Sequence, residues 1–112
     1  MAGSDLFTGS LDLLILKALS WGPRHGYAVG RWIRDTTEEE ILVQEGALYP
    51  ALHRLERRGL VAEEWGLTDT NREAKFYRLT AEGRRRLRDE AERWGRFARV
   101  MRLALDATAE AR

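Results

Sequence analysis

The chain has 112 residues, 44 % of them hydrophobic and 33 % charged, which fits one small domain, or one domain with a long appendage. Cysteine is absent, which excludes disulfide staples, thiolate metal sites and cysteine nucleophiles. Nineteen Lys and Arg against eighteen Asp and Glu give a net charge of +1, but the charge is segregated: the stretch from Asp35 to Glu45 is acidic without an intervening base, and beyond Gly83 the chain is strongly basic.

All basic residues except Lys17 and Lys75 are arginine, the side chain suited to forked contacts with phosphate and carboxylate. The longest apolar run, Leu13 to Leu16, is far below the ~20 residues a membrane span needs. Met1 to Asp5 lacks the basic start and apolar core of an export signal, so a cytoplasmic protein is expected.

From Ser10 to Ser20, Leu11, Leu14, Ile15, Ala18 and Leu19 repeat at helical spacing, and Leu13 and Leu16 lie outside that stripe. A helix apolar on two sides is clamped between two bodies, here its own domain and a partner subunit. Gly22-Pro23 ends it. Gly26 to Asp35 reads as a shorter helix that buries Tyr27, Trp32 and Ile33. Glu38 to Glu40 form a solvated turn, and Ile41-Leu42-Val43 a very short extended segment. A third helix runs from Gly46 to Arg58 with Leu48, Leu52 and Leu55 inward and Gly59 as its stop. Pro50 is tolerated there only near the helix start.

Leu60–Trp65 and Ala74–Leu79 have strand composition, and the polar stretch between them makes a hairpin with a projecting tip. Thr80 is a suitable N-cap for a long helix reaching about Ala109. Leu87, Ala91, Trp94, Ala98, Met101, Leu105 and Thr108 step by four and three, a coiled-coil seam on a helix about 45 Å long. A helix of that length needs another beside it, most simply its symmetry mate, with Leu13 and Leu16 adding to the contact. Glu82–Arg86, Asp89–Arg93 and Glu92–Arg96 are spaced as i,i+4 pairs, and Arg93, Arg96, Arg99 and Arg102 read as one solvated face. The expected fold is mainly α with a small β-hairpin: a winged helix-turn-helix over residues 1–80 and a dimerisation helix over 81–112.

With its leucines inward, the third helix shows Tyr49, His53 and Arg57, flanked by Gly46, Pro50 and Arg54. Gly46 and Ala47 remove bulk, which lets backbone N–H groups approach a phosphate. Tyr49 offers a hydroxyl to phosphate, or alternatively closes the core edge, and Arg54 offers a fork to guanine or phosphate. Asn71, Arg72 and Lys75 cluster at or beside the hairpin tip as a phosphate anchor. Catalysis is not expected. His25 and His53 are the only histidines, too few for a metal site, and His25 fits better as the organiser of the turn before the second helix. Gly22, Gly26 and Gly30 do not form a phosphate loop, and no cofactor is implied.

Three segments, Gly22-Pro23-Arg24-His25-Gly26-Tyr27, Gly46 to Glu56 and Asn71 to Thr80, closely resemble the PadR-like transcriptional regulators over about Leu11 to Arg88. The resemblance implies a dimeric winged-helix repressor of the short C-terminal type. It implies that Ala47, Tyr49, Pro50, His53 and Arg54 lie at or near double-stranded operator DNA, with Asn71, Arg72 and Lys75 of the wing. Many members have Ser where Ala47 stands, so the resemblance implies one hydroxyl-to-phosphate contact fewer here, and Glu73 occupies a position often basic in relatives, which implies weaker wing binding. Relatives sense phenolic acids or flat cationic drugs, some by stacking them on a Trp of the dimerisation helix. Trp94, flanked by Phe97, lies on the seam of the corresponding helix; it either fills the dimer core or stacks a ligand in the same way. The expected protein is a ligand-responsive homodimeric repressor of a palindromic operator. The alternatives are a regulator without effector and a winged-helix protein-interaction module.

Overall fold

The computed structural model describes residues 2–109, with side chains described from Gly9 onward; Met1 and residues 110–112, the outer ends of the two expected segments, lie outside the described residues. The order is α1 (Ala2–Ala18), β1 (Arg24–His25), α2 (Gly26–Thr36), α3 (Glu45–Arg57), β2 (Val61–Leu67), β3 (Glu73–Leu79) and α4 (Ala81–Leu105). Among the described residues the strands form one antiparallel sheet in the order β1-β3-β2.

Helix α1 starts at Ala2, well before the predicted Ser10. The helix runs through Gly9, since a helix-interior glycine costs only about 1 kcal/mol and is tolerated inside a longer element. The predicted stripe is inward: Leu11, Ile15, Ala18 and Leu19 are buried. Leu16, expected at a subunit contact, is buried too, at 1 % exposure, inside its own domain. It is therefore closed off from a partner, and only Leu13 of the pair stays partly accessible.

Helix α2 turns Val29 and Ile33 into the core. Tyr27 lies on the opposite side and is exposed, contrary to its predicted burial, while Trp32 is half-buried. His25 caps the helix as expected, its Nδ1 accepting from the Ala28 N–H at 3.3 Å. Glu38 and Glu39 both take positive φ and turn the chain sharply. The Thr37 hydroxyl then donates to the Ile33 carbonyl at 2.7 Å and accepts from the Ile41 N–H at 3.2 Å. This tether keeps Ile41–Val43 out of the sheet, so the expected extended segment is not a strand. Ile41 and Val43 pack against the core while Leu42 faces out. The third strand is instead Arg24–His25, paired to Tyr77 and Phe76.

Helix α3 begins at Glu45 and holds Pro50 at its sixth position, where the ring removes the hydrogen bond to the exposed Gly46. Its end is the predicted one. Gly59 adopts φ 75°, its N–H donates to the Glu56 carbonyl at 2.9 Å, and the Leu60 N–H donates to the Leu55 carbonyl at 3.0 Å. Strands β2 and β3 run further into the hairpin than predicted, leaving a tip of residues 68–72 closed by the Thr68 N–H to the Arg72 carbonyl at 2.8 Å.

The start of α4 is tied to this corner. Thr80 Oγ1 accepts from the Gly83 N–H at 3.0 Å and donates to the Gly59 carbonyl at 2.7 Å. Buried Gly83 lies directly over the backbone of Leu60. The helix ends at Leu105, short of the predicted Ala109, so Thr108 falls off the seam. Of the predicted charge pairs Glu92–Arg96 forms at 3.9 Å, whereas Glu82 meets Arg85 and Arg93 meets Glu90. The four spaced arginines do not share one face. A three-residue step falls about 60° short of a full turn, so they wind halfway round the helix. Arg93 thereby reaches a groove against α1.

Candidate nucleic-acid interface

The outer side of α3 exposes Gly46, Pro50, His53 and Arg57, with Ala47 half-buried. Tyr49 is also half-buried. Its ring lies across Gly26, where an added Cβ would stand 2.7 Å from the ring and the hydroxyl. Glycine at this position therefore permits α2 and α3 to meet with Tyr49 between them. Arg54 does not stand free on the outer face: its Nη2 donates to Asp12 of α1 at 2.9 Å, and Arg58 approaches the other carboxylate oxygen at 3.8 Å.

Between α3 and the wing lies an open depression of about 400 Å³ lined by His25, Tyr27, Tyr49, His53, Lys75 and Tyr77. A second, of about 640 Å³, continues on the other side of the α2 N-terminus, between α2 and the hairpin tip. Arg24, Arg31 and Arg72 line it, with Asp35 and Asp69 as counter-charges. Both share His25 and Tyr27. Tyr27 and Arg31, one helical turn apart on the exposed side of α2, are surface residues that sequence reasoning missed. Their i,i+4 spacing in the first turns after the His25 cap was the available signal.

In the wing, Asn71 sits at the tip with φ 64° and Arg72 is exposed beside it. Lys75 is paired with Glu63 at 3.0 Å and stands 5.8 Å from the Trp65 ring centroid. The Glu63 carboxylate raises the Lys75 pKa above the usual lysine range. Burial raises that of Tyr77, and the charge of Glu63 adds to it.

At the far side of the molecule Trp94 and Phe97 meet edge-on, ring centroids 6.5 Å apart. With Gly9, Ser10, Leu13 and Arg93 they line a groove of about 280 Å³ between α1 and α4. The structure thus brings Leu13, Trp94 and Phe97 together. Leu87 packs on its own core and Ala98 is half-buried, whereas Ala91, Trp94, Met101 and Leu105 of the seam stand exposed. Phe97, Val100 and Leu103 add apolar surface beside it. Among the described residues, no group of three or more His, Asp or Glu has metal-site geometry.

The family model of the PadR-like transcriptional regulators matches residues 15–89. The chain belongs to that family. A transcriptional regulator from Clostridium thermocellum superposes with TM-score 0.78 at 32 % identity, covering 88 % of this chain and 95 % of that one. A PadR family transcriptional regulator from Eggerthella lenta gives TM-score 0.78 at 32 % identity, over 96 % and 91 % of the two chains. A transcriptional regulator of Mycobacterium tuberculosis is 35 % identical over 71 residues, 62 % of this chain and 65 % of that protein.

This PadR-like chain is accordingly a transcriptional regulator and not an enzyme, built as the winged helix that its residues predict. PadR family regulators bind DNA. No helix among the described residues is long and apolar enough to cross a membrane.

Proposed function

We propose that the chain is a homodimeric cytoplasmic repressor that reads a palindromic operator in double-stranded DNA. The segment 1–80 is the reading domain, and the segment 81–112 dimerises through its helix Ala81–Leu105. The observation that carries this reading is the surface where α3 meets the wing: Tyr49, His53 and Lys75 border one depression, and Arg72 borders the adjoining one at the hairpin tip. Ala47 and Pro50 bring the start of α3 close to the DNA with little bulk, while Asn71 and Arg72 hold the backbone from the wing. Arg54 acts through its pairing with Asp12, fixing α3 on α1, rather than as a free reading fork.

The exposed seam supports the dimer: a helix carrying Trp94, Met101 and Leu105 in the open buries them against a second copy of itself. The groove of Leu13, Trp94 and Phe97 supports a flat aromatic effector held beside that contact. Such a ligand changes the spacing of the two recognition helices only as far as its affinity differs between the two states.

Footprinting on the DNA upstream of the chain's own gene tests this reading. Protection of two half-sites, lost in Tyr49→Ala and His53→Ala, is expected. No protection at moderate salt from a confirmed dimer refutes operator binding and favours a protein-interaction module. Trp94 fluorescence titrated with planar aromatic compounds tests the effector. An unchanged signal and unchanged operator release across a broad panel leave Trp94 as dimer core only.

A further inference from the structure

The sheet carries a carboxylate on the face it turns toward α3. In the β2–β3 register Glu63 stands opposite Tyr77 and Trp65 opposite Lys75, so these four side chains share one side of the hairpin. Tyr77 and Lys75 on that side line the depression beside Tyr49 and His53. Glu63 reaches diagonally to Lys75, Oε1 to Nζ 3.0 Å, with the two side chains only 25 % and 39 % exposed. The other carboxylate oxygen, Oε2, is buried and has no hydrogen-bond partner among the described residues. Among the described residues no backbone or hydroxyl donor shares the Glu63 charge, and it falls on Lys75. The next acid along β2, Glu64, points to the opposite side of the sheet and pairs with Arg78 at 3.2 Å.

We propose that Glu63 sets the strength of the wing's grip on DNA: by pairing with Lys75 it cancels the charge of the wing cation nearest α3, so that this lysine contributes less to phosphate binding than its position allows. The inference rests on the DNA-binding reading above. Phosphate binding is driven by release of condensed counterions, and a lysine that is already neutralised releases fewer. Glu63 therefore weakens the sequence-independent part of the affinity. The Lys75 ammonium stands 5.8 Å from the Trp65 ring centroid and the side chain lines the depression beside α3, so that removing the acid frees a charge at the interface.

The test is binding of the full chain to a fluorescein-labelled random-sequence duplex of about 30 base pairs, roughly three helical turns, measured over a series of salt concentrations. Glu63→Gln keeps the shape and an acceptor for Lys75 but removes the charge. It is expected to bind roughly two- to fivefold tighter at low salt, as expected for one partly screened ion pair. The slope of log K against log salt should steepen by up to about 0.9, the value for one phosphate. Glu64→Gln makes the same charge change on the other side of the sheet and is expected to alter neither. Thermal unfolding of both variants close to wild type supports the comparison. Glu63→Gln binding no tighter than wild type, with an unchanged slope, overturns the inference. So does weaker binding, which makes Glu63 a support for Lys75, and so does an equal gain in both variants, which reduces the effect to net charge. Wild-type chain that binds no duplex at any salt overturns the DNA-binding reading itself, a result distinct from those three.

Discussion

Replacing Gly83 with alanine tests how the long helix is joined to the reading domain. A Cβ at Gly83 overlaps the Leu60 carbonyl oxygen, and it stands 3.0 Å from the Leu60 carbonyl carbon and 3.1 Å from Leu79 Cδ2. Carbon atoms pack best about 3.5–4.0 Å apart. The first turn of α4 must therefore withdraw by the order of 1 Å, because a backbone carbonyl has no rotamer through which to yield. Overpacking of this kind costs about 1–3 kcal/mol. The same movement loosens the Thr80 cap, whose Oγ1 accepts from the Gly83 N–H at 3.0 Å, and a lost cap costs about 1 kcal/mol. A loss of about 3 kcal/mol is expected, and with it a fall in Tm of roughly 10–20 °C for a domain of this size. Urea unfolding at one fixed protein concentration, followed by far-UV circular dichroism, measures it. Gly95→Ala is the matched control, since nothing lies within 4 Å of its Cβ and alanine there favours the helix by about 0.5–1 kcal/mol. A Gly83→Ala chain within about 0.5 kcal/mol of wild type refutes the argument that this contact fixes where the stalk leaves the domain.

Three further outcomes are expected. Asp12→Ala leaves Arg54 without its 2.9 Å partner and costs about 1 kcal/mol in urea unfolding; operator affinity then shows whether a released Arg54 loosens or extends the recognition surface. Trp94→Ala removes the largest exposed side chain of the seam and is expected to weaken self-association roughly 30-fold, the loss of a buried aromatic anchor, read by sedimentation equilibrium. Burial, and after it the charge of Glu63, raises the Tyr77 pKa in the folded chain, so above about pH 10, the ordinary tyrosine value, the folded state binds more protons than the unfolded one. The stability that Tyr77 confers is full below that pH and is lost as pH rises through the raised folded value. Absorbance titration should show a tyrosine ionisation above the ordinary tyrosine value, and Tyr77→Phe should remove it.

Much of the fold is legible because its signals are local. Leu11, Ile15, Ala18 and Leu19 are spaced for one helix face and are all buried. Gly59 closes α3 through a left-handed residue, and Thr80 caps α4, each within a few residues of the sequence that specifies it. Strand β1 escaped because two residues are too few to show a period. Its place in the sheet comes from pairing with β3, about fifty residues away. Tyr27 stands exposed because α2 buries the face that carries Val29 and Ile33, a choice made by the elements packed against the helix and not by the helix's own sequence.

The candidate site divides in the same way. The residue types on α3 and the wing, and the seam carrying Trp94, follow from helical and strand periods that any reader of the sequence can count. Which of those groups are free to act does not. Arg54 is engaged by Asp12 forty-two positions earlier, Lys75 by Glu63 on the neighbouring strand, and Leu16 is enclosed by its own domain. Length, charge and the missing cysteines by themselves determined that this is a small domain with a segregated charge and no thiol chemistry, and helical spacing determined that it is rich in helix. The near-zero net charge left the partner open, because a sum carries no positions. Only the tertiary structure decided how that charge is placed, since ion pairs and burial depend on the distance between residues that folding brings together from remote parts of the chain.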